Sequence, residues 1–343
     1  MVHTDPWTGP ARELADRIVA FIDSSLDASP TERFEDLALA IHAYQAEHCP
    51  VVARLTEPPV QSWLQIPAVP VDVFKQLPVG TVSPEDASAT FLTSGTTGGG
   101  RGTHRLRSTA LYEHGALRWA QRCVGAWPAR SANLLLDPAR HPESSLSHMV
   151  RLFADDASWH LTSKGVRADS LRDALGDRPA FIGATAFALA EWLEHHTPEA
   201  LPDGCVLMVT GGFKGRVHRL DATDLYQAAA QVLRPQKLVT EYGMTELSSQ
   251  LWAKPGEAYR PPPWLRVVAI DPLTGEPRPA GQAGQLRLYD LCNLDGSVAI
   301  ETMDEGIVTE EGTLWLNGRL TDAPARGCSL TVEEAWLARR STP

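Results

Sequence analysis

Apolar residues recur at helical spacing near the start of the chain. Leu14, Ile18, Phe21 and Ile22 mark one amphipathic helix, and Phe34, Leu37, Ile41 and Tyr44 a second. Ser29-Pro30-Thr31-Glu32 reads as a capping box for the second helix, with proline at its first position. Over 50–84 prolines interrupt every period, so an extended course is expected there. Helical spacing returns over 108–124 through Leu111, Ala116, Leu117, Ala120 and Val124. Short apolar runs then alternate with helical stretches: Leu134-Leu135-Leu136, Phe181-Ile182, 205–209 and Leu238-Val239. Strands spaced by helices predict an α/β fold with a mainly parallel sheet flanked on both faces. Proline and glycine recur over 255–263, and beyond them 265–270, 286–291 and 297–302 are strand-like, joined by turns such as Asp271-Pro272-Leu273-Thr274-Gly275. The expected division is an α/β core over 1–262, a small β-rich subdomain over 263–318 and a short tail over 319–343.

Composition agrees with a globular protein of this size: 343 residues, 43% hydrophobic and 21% charged. The net charge of −11 argues against nucleic acid or an anionic membrane as the main partner. An anionic substrate must then be drawn by local cations such as Arg101, Lys214 and Arg216. No run approaches the roughly 20 apolar residues of a membrane span and the first residues carry no signal pattern, so a cytoplasmic protein is expected. Cys49, Cys123, Cys205, Cys292 and Cys328 lack metal-ligand spacing and read as free thiols.

The chemistry concentrates in two short segments. Every residue of Thr93-Ser94-Gly95-Thr96-Thr97-Gly98-Gly99-Gly100-Arg101 is a glycine, a hydroxyl or a cation. Such a backbone folds tightly around an anion, though the same run alone serves equally as a surface turn. It is not a P-loop, because no Gly-Lys-Ser or Gly-Lys-Thr closes it. The second segment, Glu241-Tyr242-Gly243-Met244-Thr245-Glu246, gathers an aromatic plane, a hydroxyl and a carboxylate. In a parallel sheet, ligands lie beyond the carboxyl ends of the strands. Two further segments fall at such ends: Ala184, Thr185 and Phe187, where small residues leave room for a substrate, and Gly211-Gly212, a pair that by itself reads as a tight turn.

Together, 93–101 and 242–246 resemble the signature pair of the acyl-adenylate-forming enzymes, Ser-Gly-Thr-Thr-Gly-x-x-Lys/Arg and Tyr-Gly-x-Thr-Glu, in order and at a separation of roughly 150 residues. The Pro70-Val71-Asp72-Val73-Phe74-Lys75 segment and the chain end around Cys328 narrow the resemblance to the LuxE-like acyl-protein synthetases, a short branch of that superfamily. The resemblance implies the superfamily's large core of mainly parallel sheets flanked by helices, with ATP and Mg²⁺ as cofactors. Thr93, Ser94, Gly95, Thr96, Thr97, Gly98 and Arg101 would surround the β- and γ-phosphates, and Thr245 would donate to the α-phosphate. Glu246 would ligate Mg²⁺. Gly211 and Gly212 would wall the adenine, Tyr242 would stack on it, and Gly243 and Met244 would also bind ATP. Glu301-Thr302-Met303-Asp304 resembles the element whose aspartate holds the ribose, with methionine in place of the usual glycine, and Asn317-Gly318-Arg319 the Gly-Arg that closes the core. His148 resembles a residue bordering the acyl pocket.

Too few residues follow Arg319 for the superfamily's lid domain, so the lid and its lysine are expected to be absent or vestigial. The expected reaction is ATP-dependent formation of an acyl-AMP from a carboxylic acid, a fatty acid by resemblance, and acyl transfer to a thiol: Cys328 or a thiol of a partner, such as a reductase or carrier protein. Two rivals stand beside it. One is adenylation with transfer to coenzyme A, a carrier protein or an amine; the other is a non-catalytic subunit that binds nucleotide or acyl groups.

Overall fold

The computed structural model describes residues 6–27, 29–56, 60–93, 100–211 and 222–320. Two helices, α1 (Gly9–Leu26) and α2 (Phe34–His48), open the chain and are followed by α3 (Pro50–Leu55). Then come β1 (Val69–Pro70), β2 (Ala89–Leu92), β3 (Thr103–Leu106), α4 (Ala110–Val124), β4 (Arg130–Asn133) and α5 (Ser145–Arg151). The middle of the chain holds β5 (Asp156–Trp159), β6 (Leu161–Thr162), β7 (Gly165–Val166), α6 (Ala168–Leu175), β8 (Phe181–Thr185) and α7 (Ala186–His195). It continues through β9 (Val206–Thr210), α8 (Ala222–Val232), β10 (Lys237–Tyr242) and β11 (Leu251–Ala253). The last strands are β12 (Leu265–Ile270), β13 (Ala283–Asp290), β14 (Ala299–Val308) and β15 (Leu314–Arg319).

The apolar stripe of α1 is buried as its spacing predicts, and Phe21 meets Phe34 of α2 edge to face with centroids 6.5 Å apart. The capping box expected ahead of α2 does not form. Glu32 instead stands 2.6 Å from Arg17 of α1, and the helix begins at Phe34 without a side-chain cap. Glu35 and Asp36 in its first turn face the positive helix end. The extended course expected from residue 50 also gives way, because Pro50 sits in the first turn of α3, where its missing N–H has no intrahelical partner to lose.

Six strands form the first sheet in the order β11-β10-β9-β8-β4-β5, parallel throughout except for β11. The strand expected at Leu134–Leu136 lies earlier, over β4, and Leu134 keeps only a bridge to Ala184. A polar residue decides this shift. Asn133, fully buried, accepts from Gly183 N at 3.0 Å and donates to Ser131 Oγ at 2.9 Å, satisfying in the sheet a group that an apolar pattern would exclude.

The second sheet runs β1-β14-β13-β12, with β15 also on β14. Its strands are antiparallel apart from β1, which runs parallel to β14 at Ile300 and Glu301. Val69 and Pro70 therefore leave the part of the chain that precedes the first sheet and join the strands of 265–319. Among the described residues no helix is long and apolar enough to cross a membrane, and Cys49, Cys123, Cys205 and Cys292 are free thiols.

Candidate nucleotide site

The parallel strands end in register. Thr185 of β8 lies beside Thr210 of β9, and Thr210 beside Glu241 of β10. Thr210 donates its hydroxyl to Glu241, whose carboxyl is pushed by burial up to about 7. Gly211 follows with φ +77° and open space where a Cβ would point; Gly212 lies outside the described residues, as do Lys214 and Arg216. Gly243 has a different constraint, since a Cβ there would come within 2.5 Å of Glu241 Oε1.

At the end of β10 the two sheets touch. Tyr242 donates its hydroxyl to Asp304 Oδ2 at 2.9 Å, and Asp304 Oδ1 stands 3.4 Å from Arg319 Nε across the β14–β15 ladder. Burial and the neighbouring Asp304 carboxylate push the phenol of Tyr242 well above its ordinary value, so it remains a donor. Tyr242 and Asp304, which the resemblance assigns to adenine and ribose, thus stand beside each other and beside Arg319.

Beyond Tyr242 the chain makes an irregular turn over 243–250. Met244 is half-buried against the apolar cluster around Val71, Phe74 and Leu314. Thr245 and Glu246 are buried, and Glu246 is pushed up to about 7 by loss of solvent, with Lys75 and Arg319 opposing the rise. Lys75 in turn is lowered by burial and lies 3.7 Å from Asp72.

Strands β2 and β3 pair on either side of the first motif. Residues 94–99, including Ser94, Gly95, Thr96, Thr97 and Gly98, lie outside the described residues; Thr93 and residues 100–102 flank them. Thr93 N donates to Gly102 O at 2.9 Å, and Gly102 N to Thr93 Oγ1 at 2.8 Å, closing the β2–β3 pair. Arg101 reaches back across this base, donating from Nε to Thr93 O at 2.8 Å, with Nη1 3.8 Å from Glu143. The Phe74-Lys75 segment packs below: a Cβ on Gly102 would lie 3.1 Å from Phe74 O, and one on Gly100 3.5 Å from Lys75 O. Two residues beyond Gly102, His104 places Nδ1 2.7 Å from Thr245 O. The β2–β3 pair and the Thr245–Glu246 turn therefore meet, although about 140 residues separate them in sequence. Burial holds the His104 imidazole below its ordinary pKa.

The expected substrate residues divide. Ala184 and Phe187 are packed into the apolar interior between the first sheet and its helices, and Thr185 caps α7 by accepting from Ala188 N at 3.1 Å. His148 instead faces a cleft of about 1000 Å³ that Phe91, Thr109, Glu113, Glu143 and Arg151 also line. There His148 Nε2 lies 2.9 Å from Glu113, which also accepts from Thr109 Oγ1 at 2.8 Å and is held below the usual carboxylate range chiefly by the His148 bond. Cys328 lies outside the described residues.

Three residues of this site escaped the sequence reading as site residues. Lys75 had a signal, since it stands in the segment that suggested the family. His104 and Asn293, whose Nδ2 donates to Glu246 O at 2.9 Å, had none: their types fit any buried polar position, and only the fold brings them to the turn.

No protein-family model matches the chain. In sequence it is similar to the long-chain-fatty-acid–luciferin-component ligase of Aliivibrio fischeri, 24% identical over 297 residues that make up 78% of either chain. The ligase of the same name from Vibrio harveyi is 22% identical over 306 residues, 82% of this chain and 80% of the relative. Among solved structures, ATP-bound MatB from Rhodopseudomonas palustris superposes with a TM-score of 0.51 at 16% identity, over 70% of this chain and 49% of that one. The chain thus spans about half the length of that structure, and matches the amino-terminal core of the adenylate-forming fold. The chain is thus similar in sequence to the long-chain-fatty-acid–luciferin-component ligases along about four-fifths of its length, and it shares its fold with ATP-bound MatB.

Proposed function

We propose that the chain activates a carboxylic acid, a long-chain fatty acid by analogy with the relatives' names, as its acyl-AMP at the expense of ATP, and passes the acyl group to a thiol. The observation that carries this reading is the 2.7 Å contact of His104 with Thr245, which brings a phosphate-loop hairpin and a Tyr-Gly-x-Thr-Glu turn into one place. The barrier to joining a carboxylate to the α-phosphorus of a triphosphate is largely electrostatic, so the protein must supply fixed donors and cations. Arg101 and the hairpin base stand where the polyphosphate tail would be gripped, and Lys75 and Arg319 place positive charge toward Glu246. Thr245 would donate to the α-phosphate. Tyr242, Asp304 and Arg319 would receive the nucleoside, and Gly211 leaves the strand end open for a flat ring.

Glu246 fits a hard cation: a buried carboxylate whose ionisation is costly gains most from a divalent partner. Mg²⁺ held there would neutralise the charge that accumulates on the phosphate oxygens. In the first step the carboxylate oxygen bonds the α-phosphorus and pyrophosphate leaves. In the second a thiolate, of Cys328 or of a partner protein, attacks the acyl carbon and AMP leaves, the thiol proton going to solvent. The cleft at His148 is the candidate acyl pocket; Ala184, Thr185 and Phe187 do not line it.

Pyrophosphate exchange into ATP with a panel of carboxylic acids tests the reading. Exchange that depends on a long-chain acid is expected; its absence with every acid, together with no calorimetric binding of ATP in the presence of magnesium, would refute it. Hydroxylamine-labile acyl labelling that disappears in Cys328→Ser assigns the acceptor to this chain, and labelling that persists assigns it elsewhere.

A further inference from the structure

We infer that His104 is a positioning residue for adenylation: it ties the phosphate-loop hairpin to the turn bearing Thr245 and Glu246 and fixes where those two side chains stand. The inference rests on the nucleotide-site reading above and adds to it a residue that no sequence motif contains. The argument starts from backbone accounting. The 243–250 turn has no ladder to satisfy its buried peptide groups, so their partners must come from elsewhere. Three side chains supply them. Asp290 accepts from Ser248 N at 3.0 Å, Ser249 N at 2.8 Å and Ser249 Oγ at 2.7 Å. Asn293 Nδ2 donates to Glu246 O at 2.9 Å and to Ser297 O at 3.0 Å. His104 Nδ1 meets Thr245 O at 2.7 Å.

These three holders differ in origin. Asp290 and Asn293 belong to the end of β13 and the loop after it, and so anchor the turn to the second sheet. His104 alone comes from the hairpin, two residues beyond the Thr93–Gly102 base that closes the phosphate loop. A carbonyl can only accept, so Nδ1 carries the ring proton and Nε2 is the bare nitrogen. Nε2 is buried against Gly296, where a Cβ would lie 3.1 Å from it, so the ring is boxed in and its orientation is set. Held this way, the donor fixes the carbonyl of the residue whose hydroxyl would face the α-phosphate, one residue before the proposed metal ligand. A displacement of about 1 Å at such a position suffices to cost a hundredfold in rate.

Two substitutions make opposite demands. His104→Leu keeps bulk and loses the donor; His104→Asn loses bulk and keeps a donor near the Nδ1 position. If His104 positions the turn, leucine lowers kcat for pyrophosphate exchange about tenfold with little change in KM for the acid, and asparagine stays within about threefold of the parent. Hydrogen exchange of the Leu247, Ser248 and Ser249 amides reads the same property without turnover: about tenfold faster in the leucine variant, near the parent in asparagine. The reverse order in either measurement, or unchanged amide exchange in His104→Leu, overturns the inference and leaves His104 as packing. His104→Ala replaces the leucine variant should the latter fail to fold. A parent protein silent in pyrophosphate exchange would count against the proposed activity, whereas the amide measurement would still decide the role of His104.

Discussion

Glu241 and Glu246, five residues apart on one segment, are both pushed by burial up to about 7, yet their neighbours differ. Lys75 and Arg319 face Glu246, whereas Glu241 has a neutral hydroxyl from Thr210. Among the described residues no cation offsets the ionisation cost of Glu241. As pH rises from an ordinary 4.5 to about 7 the unfolded chain loses this proton first, so the native state binds more protons across the window and stability falls through it. Glu241→Gln removes the dependence. The variant is expected to match the parent near pH 4.5 and to exceed it above pH 7, by up to about 3 kcal/mol, in urea unfolding across that range. A constant difference at every pH would show that Glu241 does not titrate with folding. At this scale the sequence was legible where a residue type is scarce in its context: a Tyr, a Thr and a Glu around one glycine announce chemistry. It was not legible at His104, whose meaning comes from a carbonyl supplied by a distant segment.

At the scale of elements, strands β2 and β3 flank the glycine-rich motif, and the closure of their pair depends on one side chain. Thr93 Oγ1 accepts from the buried Gly102 N, while Thr93 O receives Arg101. Thr93→Val keeps the shape and leaves that N–H without a partner, which costs about 1–3 kcal/mol when buried. Lower stability in chemical denaturation and a raised KM for ATP are expected together. Loss of stability with an unchanged KM would separate the hairpin base from nucleotide binding. The glycine-rich loop could be read directly, but the hairpin beneath it could not. In β3 the inward positions are His104 and Leu106, and a polar residue at an inward position hides the period-two alternation that reveals a strand. Asn133 hides β4 in the same way, and Arg17 draws Glu32 away from the cap that its spacing suggested.

For the molecule as a whole, the candidate site lies where the end of β10 in the first sheet meets β14 of the second. Tyr242 ends a strand of the first and Asp304 lies in a strand of the second, so their 2.9 Å bond crosses the junction. Tyr242→Phe is expected to lower stability by about 1 kcal/mol and to weaken ATP several-fold, measured by calorimetry, because Asp304 is then fixed only from the Arg319 side. Unchanged ATP affinity would mean that the junction serves folding alone. A buried polar loop braces the same junction from behind: Asp295 accepts from Trp7 Nε1 at 2.8 Å and from Arg107 N at 2.8 Å, and Gln45 of α2 donates to Asn293 O at 2.7 Å. The chain start, α2 and the hairpin strand all converge on this loop.

What the sequence by itself determined is the local chemistry and the alternation of elements. Glycines and hydroxyls that can wrap an anion, an aromatic beside a carboxylate, and apolar runs of strand length between helical stretches are properties of neighbouring residues, and neighbouring residues are what a sequence displays. Only the tertiary structure decided which distant groups share a dielectric environment and a hydrogen bond. It set Lys75 toward Glu246, joined Tyr242 to Asp304 and carried β1 into the second sheet. Hydrogen bonds act over about 3 Å, and partners at that range are chosen by packing rather than by order along the chain.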